Sequence, residues 1–317
     1  MSKRTTVSAA RILAGGAVAV LITALSAAGA SPAFAATHPK PHSTTRLSGN
    51  DVSYPQCGKT LPSSQAFGVV GVNDGLANDL NPCLGPSSAY PSYSRTELYW
   101  AVATSTGAST QPKASLYVNT ADPGNVYNGT PIADWPASGT TPYGTCATTT
   151  VTTSSGTYTV GQNSQACAWQ YGYDKAAQDA AWLNGAASAI DAQGPAVSVS
   201  GAASAYPWWL DVETVNTWQT GTAGQAMNVA DLQGMAAALT SAGASVVGAY
   251  STATQWNQIT GGTTTSAAGS LYGMPDWIPG ARTLSAATSN CKLASFTGGR
   301  VTLTQWVAKA TDYDHAC

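Results

Sequence analysis

The feature that most limits what this chain can fold into is an alternation of two patterns. From residue 49 onward, short runs rich in Val, Leu and aromatic residues recur at Asn50–Tyr54, Phe67–Asn73, Ala114–Asn119, Trp208–Glu213, Ser245–Tyr250, Asp276–Ile278, Leu293–Phe296 and Val301–Val307. Runs of that length, set off by turn residues, read as strands. Helix-patterned stretches lie between several of them. Tyr173–Ala192 carries Ala177, Ala181, Trp182 and Ile190 on a helical period. Val229–Ala242 follows, with Asn228 as its N-cap and Gly243 as its stop, and Thr252–Ile259 is shorter. Eight strands with intervening helices predict an α/β chain, a single (β/α)8 TIM-like barrel. The last third is irregular, because only Thr297-Gly298-Gly299-Arg300 separates the seventh and eighth runs. That is too short for a crossover helix and predicts a hairpin. Between the third and fourth strands, residues 145–162 alternate Thr and Val around Ser154-Ser155-Gly156 and predict an inserted β-hairpin.

The barrel is expected to occupy residues 49–317. Before it, residues 1–35 read as a signal peptide. Lys3, Arg4 and Arg11 form the positive region, Ile12–Ala30 is apolar, and Ala33-Phe34-Ala35 offers small residues at a cleavage site before Ala36. Residues 36–48 are polar and proline-containing and read as a disordered tether. A secreted, extracellular protein follows, with no membrane association after cleavage. Six cysteines in an oxidising compartment then imply three disulfides. Fifteen pairings are possible. Sequence-local loops are the simplest scheme: Cys57–Cys83, Cys146–Cys167 and Cys291–Cys317.

Removal of Lys3, Arg4 and Arg11 leaves ten basic residues against fifteen acidic ones, with no Lys/Arg cluster. Phosphate recognition needs clustered cations, so nucleic acid is excluded as a partner. The surface is instead rich in Thr, Ser, Asn and Gln, with ten Trp and fourteen Tyr in the chain. Such a surface suits a neutral, hydroxyl-bearing ligand that stacks on rings, and it equally suits a secreted protein that merely resists proteolysis. A monomer is expected.

Elimination narrows the chemistry. Of three histidines, His38 and His42 lie in the tether and only His315 lies in the domain. A metal site with several His ligands cannot be built. No phosphate loop or dinucleotide fingerprint is present, so no cofactor or metal is expected. Carboxylates remain. In Leu210-Asp211-Val212-Glu213, positions two apart on a strand share a face, roughly 6–7 Å apart. At the C-terminal end of a barrel strand, both acids would face the mouth. Mutual repulsion and burial would raise the pKa of one and make it a proton donor. Asp51 on the first strand, and Asp312 and Asp314 after the last, fit the same rim, because first and last strands of a barrel are neighbours. Glu97 is the only other glutamate. Asp174, Asp179, Asp191 and Asp231 read as solvated helix-face or cap residues.

Four segments in order resemble the glycoside hydrolase family 25 lysozymes and the wider glycosidase-like barrel superfamily. Gly49-Asn50-Asp51-Val52-Ser53-Tyr54-Pro55-Gln56 is similar to the family's opening G-x-D-V-S-x-x-Q, and Leu210-Asp211-Val212-Glu213 to its central L-D-x-E. Gly248-Ala249-Tyr250-Ser251 is similar to its G-x-Y-S strand, and Gln305-Trp306 with Asp312-Tyr313-Asp314 to its closing Q-W and D-x-N. The resemblance is closest to secreted, disulfide-bearing relatives and implies a muramidase-like hydrolase of an amino-sugar polysaccharide, most of all peptidoglycan. Glu213 would protonate the leaving oxygen, Asp211 would orient the acetamido group or the attacking water, and Asp51 and Asp312 would complete the acidic floor. Tyr54, Trp208, Tyr250 and Trp306 would stack on sugar. The chain departs from the family pattern at Gly71-Val72-Asn73-Asp74-Gly75, which has no lysine, at Leu116–Thr120, and in the Thr-rich insertion. Those departures keep open a second reading: a barrel that binds glycan or a cell-surface partner without turnover.

Overall fold

A computed structural model describes residues 47–74, 79–262 and 271–317. The expected signal peptide and most of the expected tether lie outside the described residues. Ser48, at the end of the expected tether, is already buried, and its carbonyl accepts a hydrogen bond from the Ala66 amide.

The chain is mixed α/β, built on one eight-stranded, barrel-like sheet. In spatial order its strands are β1 (Asn50–Val52), β2 (Gly68–Gly71), β3 (Ala114–Asn119), β10 (Pro207–Asp211), β11 (Val246–Tyr250), β12 (Asp276–Ala281), β13 (Val301–Ala308) and β14 (Thr311–Ala316). The first seven run parallel and β14 returns antiparallel to β13. The two edges meet at a bridge between Gly49 and Asp314, so the sheet nearly closes. Helices α1 (Glu97–Thr104), α2 (Gln165–Asp191), α3 (Gly221–Ser241), α4 (Ala253–Thr260) and α5 (Leu284–Asn290) occupy the connections from β2 to β13. The connection from β1 to β2 contains only a short 3-10 turn.

Local chemistry sets these boundaries. Thr96, Ser164, Thr252 and Thr283 each accept a hydrogen bond at the first turn of α1, α2, α4 and α5. Helix α3 begins earlier than its apolar period suggests, with Thr220 as N-cap. Asn228 is therefore not a cap. It lies buried inside α3, where its amide donates to the Gln219 and Ile259 carbonyls. The helix does stop as expected, with Gly243 at φ 91°.

The last third is irregular, but the hairpin is one element later than the sequence suggests. Leu293–Phe296 is not a strand. Its backbone is drawn to the buried Asp276 carboxylate, which accepts from the Phe296 amide and the Thr297 hydroxyl. The hairpin is β13–β14, turned through Lys309 and Ala310, both left-handed. The predicted insertion is present between β3 and α2. It holds three small hairpins: β4 (Val126–Tyr127) with β5 (Thr130–Pro131), β6 (Thr140–Thr141) with β7 (Gly144–Thr145), and the Thr-rich β8 (Thr148–Thr153) with β9 (Gly156–Gly161). Disulfides join Cys57 to Cys83, Cys146 to Cys167 and Cys291 to Cys317, the sequence-local scheme.

Two apolar layers sandwich the sheet. The outer face packs Val70, Leu116, Trp208 and Leu210 against the helices. The barrel interior holds Phe67, Val69, Trp209, Trp277 and Leu303. Helices α2 and α3 approach each other at glycines. A Cβ on Gly172 would meet the Asp231 carbonyl oxygen at 2.0 Å, and one on Gly234 would meet the Trp169 carbonyl oxygen at 1.9 Å. Intrinsic propensity favours Ala over Gly in a helix by about 1 kcal/mol. Here the overlap is with rigid backbone, so Gly172→Ala and Gly234→Ala should each destabilise the protein by about 1–3 kcal/mol instead. Urea denaturation checks the sign.

Candidate active site

Strand alternation decides what enters the barrel. Trp209 packs in the interior, so Asp211, two residues on, shares its side, while Trp208, Leu210 and Val212 belong to the outer layer. On β14, Asp314 and Asp312 share one side and Tyr313 lies on the other, stacked on Trp306. Asp51 comes in from β1. Its carboxylate accepts from the Gln305 amide at 3.0 Å, and the Gln305 oxygen accepts from the Tyr250 hydroxyl at 3.0 Å. The Tyr250 ring rests on Trp277, centroids 4.5 Å apart. Strands β1, β10, β11, β13 and β14 thus bring polar groups together beside the Trp277 ring.

The acids form a connected line. Glu213 repels Asp211, Asp211 feels Asp51, and Asp51 feels Asp312. Asp314 lies beneath, fully buried, with Asp51, Asp312 and the Trp277 indole around it. No donor of full hydrogen-bond geometry reaches its oxygens. The Asp51 carboxyl beside it disfavours a second charge on Asp314. Burial, followed by Asp51, pushes Asp314 well above the usual carboxylate range. Burial, followed by Glu213 and Asp51, does the same to Asp211. Asp51 is pushed up to about 7, by burial and then by Asp312. Glu213 is half-buried and also raised by burial, against a hydrogen bond from Gln255 that favours its charge.

Backbone anchoring fixes these side chains. The Asp211 carbonyl accepts from the Thr120 hydroxyl at 2.6 Å, and the Glu213 carbonyl accepts from the Trp218 indole at 2.9 Å. The Asn50 amide donates to the Asp312 carbonyl at 2.6 Å. A cavity of about 560 Å³ opens at Asp51 and Asp312, with Gln56, Lys59 and Tyr313 also in its walls.

The aromatic residues divide. Tyr54 is exposed and Tyr250 reaches the acid line. Trp208 and Trp306 do not. Trp208 is fully buried under the helices, its indole donating to the Ala203 carbonyl, and Trp306 is buried against Ala287 and Tyr313. Each is an odd number of residues from the interior group on its own strand, Asp211 or Gln305, and so points away from it. Several residues not singled out from the sequence belong to the site: Tyr117, Trp277 and Gln305. The parity that placed Asp211 inside also finds Gln305, two residues after Leu303.

Two acids read as solvated are buried. Asp179 and Asp231 lie on the inner faces of α2 and α3, near Lys175. Lys175 also pairs with Asp134. Glu97 is buried too, its carboxylate accepting from the Asn81 amide at 2.7 Å, and burial pushes it up to about 7. Among the described residues, the one grouping of three metal-type donors is Cys57, Cys83 and Glu97, and its two sulfurs are bonded to each other.

These shifts make stability depend on pH. Asp51 and Glu97 at about 7, and Asp122 at about 6, lie above the unfolded carboxylate range of about 4. The folded state binds the extra protons, so its stabilisation is complete below pH 4 and is lost as pH rises through 6 to 7. Melting temperature should therefore fall from pH 5 to pH 8, by about 2–4 °C per kcal/mol lost. The Asp51→Asn/Asp314→Asn double variant should flatten that decline in a calorimetric pH series.

Comparison with protein-family models, curated proteins and solved structures returned no match to this chain.

Proposed function

We propose that the protein is a secreted glycoside hydrolase of an amino-sugar polysaccharide, peptidoglycan first, working at the mouth of a (β/α)8-type barrel whose last unit is reduced to a hairpin. The observation that carries the reading is the line Glu213–Asp211–Asp51 at the C-terminal ends of the strands, with the half-buried Glu213 raised above its ordinary value by burial. Glycosidic cleavage needs a proton donor beside a second carboxyl group of different protonation state. Glu213 fits the donor: it is accessible, and Gln255 orients it. Its proton goes to the leaving oxygen as the bond to the anomeric carbon breaks. Asp211, held protonated by burial, orients the acetamido group. Asp51, partly open and titrating near neutrality, serves the attacking water together with Asp312. These are the roles that the resemblance to family 25 lysozymes implies.

The second reading, a barrel that binds glycan without turnover, draws on the burial of Trp208 and Trp306, which leaves fewer rings for substrate. One set of assays separates the two. Reducing-end release from peptidoglycan, chitin and neutral polysaccharides should be detected for the wild type. Glu213→Gln should lower it by about 10²–10⁴-fold, the usual contribution of a positioned general acid, with little change in melting temperature. Asp174→Asn, on the exposed side of α2, is the control and should be neutral. Binding without any release would establish the second reading, and full activity in Glu213→Gln would remove Glu213 from its role.

A further inference from the structure

We propose that the insertion between β3 and α2 builds a second pocket that takes one ring of a neutral saccharide, a subsite beside the acid line; this rests on the glycan reading above. The cavity measures about 510 Å³, within the range of small-molecule sites, and its walls include Tyr127, Pro131, Ile132, Asp134, Tyr171 and Thr217.

The pocket is preformed. Tyr171 stacks on Trp135 with centroids 5.1 Å apart, and both pack with Ile132 around the Cys146–Cys167 disulfide in a small core that joins the insertion to α2 and α3. The β4–β5 hairpin turns through Asn128 and Gly129, both left-handed, and displays Tyr127 at 46 % exposure. An open ring at a pocket edge, with proline and isoleucine beside it, presents a flat apolar surface that complements the C–H face of a pyranose.

The charges select a neutral ligand. Asp134 is the one acid in the wall, and it is ion-paired with Lys175, whose side chain is 10 % exposed. The pocket therefore holds no uncompensated charge for an ionic ligand. The Asp134 side chain is itself 49 % exposed, leaving carboxylate lone pairs to accept from sugar hydroxyls.

One loop links the pocket wall to the acid line. The Thr217 carbonyl accepts from the Asp122 amide at 2.9 Å, and the Gln219 amide donates to the Asp122 carboxylate at 2.9 Å. The intervening Trp218 donates its indole N–H to the Glu213 carbonyl. The same few residues thus carry the proposed acid at one end and a pocket wall at the other.

Titration with the hexamer of N-acetylglucosamine, followed by calorimetry, tests the subsite. Tyr127→Ala should bind about tenfold more weakly, the loss of one well-placed contact, and Tyr127→Phe should restore affinity by restoring the ring. Tyr127 is exposed, so melting temperatures should stay level. If the wild type binds and Tyr127→Ala binds equally well, the pocket is not a subsite, while the glycan reading stands. If the wild type binds neither the hexamer nor peptidoglycan fragments, the glycan reading falls and the subsite with it.

Discussion

Two backbone hydrogen bonds between Gly49 and Asp314, at 2.8 and 2.9 Å, hold the arrangement together. They join the free edge of β1 to the returning strand β14, so that neither edge is left open to pair with another chain. They also bring the C-terminal acids to Asp51. Without that junction, Asp312 and Asp314 would be surface residues on a trailing hairpin. The junction is itself secured at both ends of β14, by the left-handed turn at Lys309 and Ala310 and by the Cys291–Cys317 disulfide.

The buried acids have a common origin. The chain has few cations, and Lys175 stands near Asp134, Asp179 and Asp231. A carboxyl group buried without a cation lowers its cost by keeping its proton. Asp51, Asp211 and Asp314 follow that rule in the barrel, and Asp122 and Glu97 follow it outside. The same low-charge composition that argues against a polyanionic partner thus supplies protonated carboxyls near neutral pH. Raised carboxyl proton affinities and acid-favoured stability are two results of one deficit.

Period and parity carried most of what the sequence could tell. Strand alternation put Asp211 on the interior side because Leu210 and Val212 had to face the helices, and the even spacing of cysteines around local loops matched the disulfides. What escaped depended on tertiary context. Trp208 and Trp306 were read as sugar-facing from residue type, although their odd separation from Asp211 and Gln305 puts them on the other face. Asp179 and Asp231 looked solvated because Asp usually is. Asp179 lies one turn after Lys175 on α2, a lysine that is itself buried, and the sequence shows no reason for burying either. Leu293–Phe296 has strand composition, yet the Asp276 carboxylate takes its amide from any sheet. Helix α1 is no shorter than the predicted α4, but its run Glu97-Leu98-Tyr99-Trp100-Ala101-Val102 is apolar almost throughout and shows no clear period, and α5 is only seven residues long. Asp314 was visible as a rim acid, but its burial follows only from the reversal of β14.

That reversal also explains how neighbouring carboxyls come to differ. A full last unit would lay a helix against the outer faces of β14 and β1. The hairpin is too short to do so, and the β1–β2 connection brings no helix of its own. The space is bordered instead by residues 59–65 and the β13–β14 turn, and a cavity of about 560 Å³ remains there, open to Asp51 and Asp312. Asp314, on the same strand as Asp312, stays dry behind them. Burial raises both, but hydrogen bonds with Gln305 and Asp314 hold Asp51 to about 7, while Asp314, with Asp51 beside it, is carried well beyond the usual carboxylate range. Acid–base chemistry with carboxyl groups alone requires such a separation of proton affinities. In this chain the separation arises from the different hydrogen bonds and acidic neighbours of two buried carboxyls, with no cation among its causes.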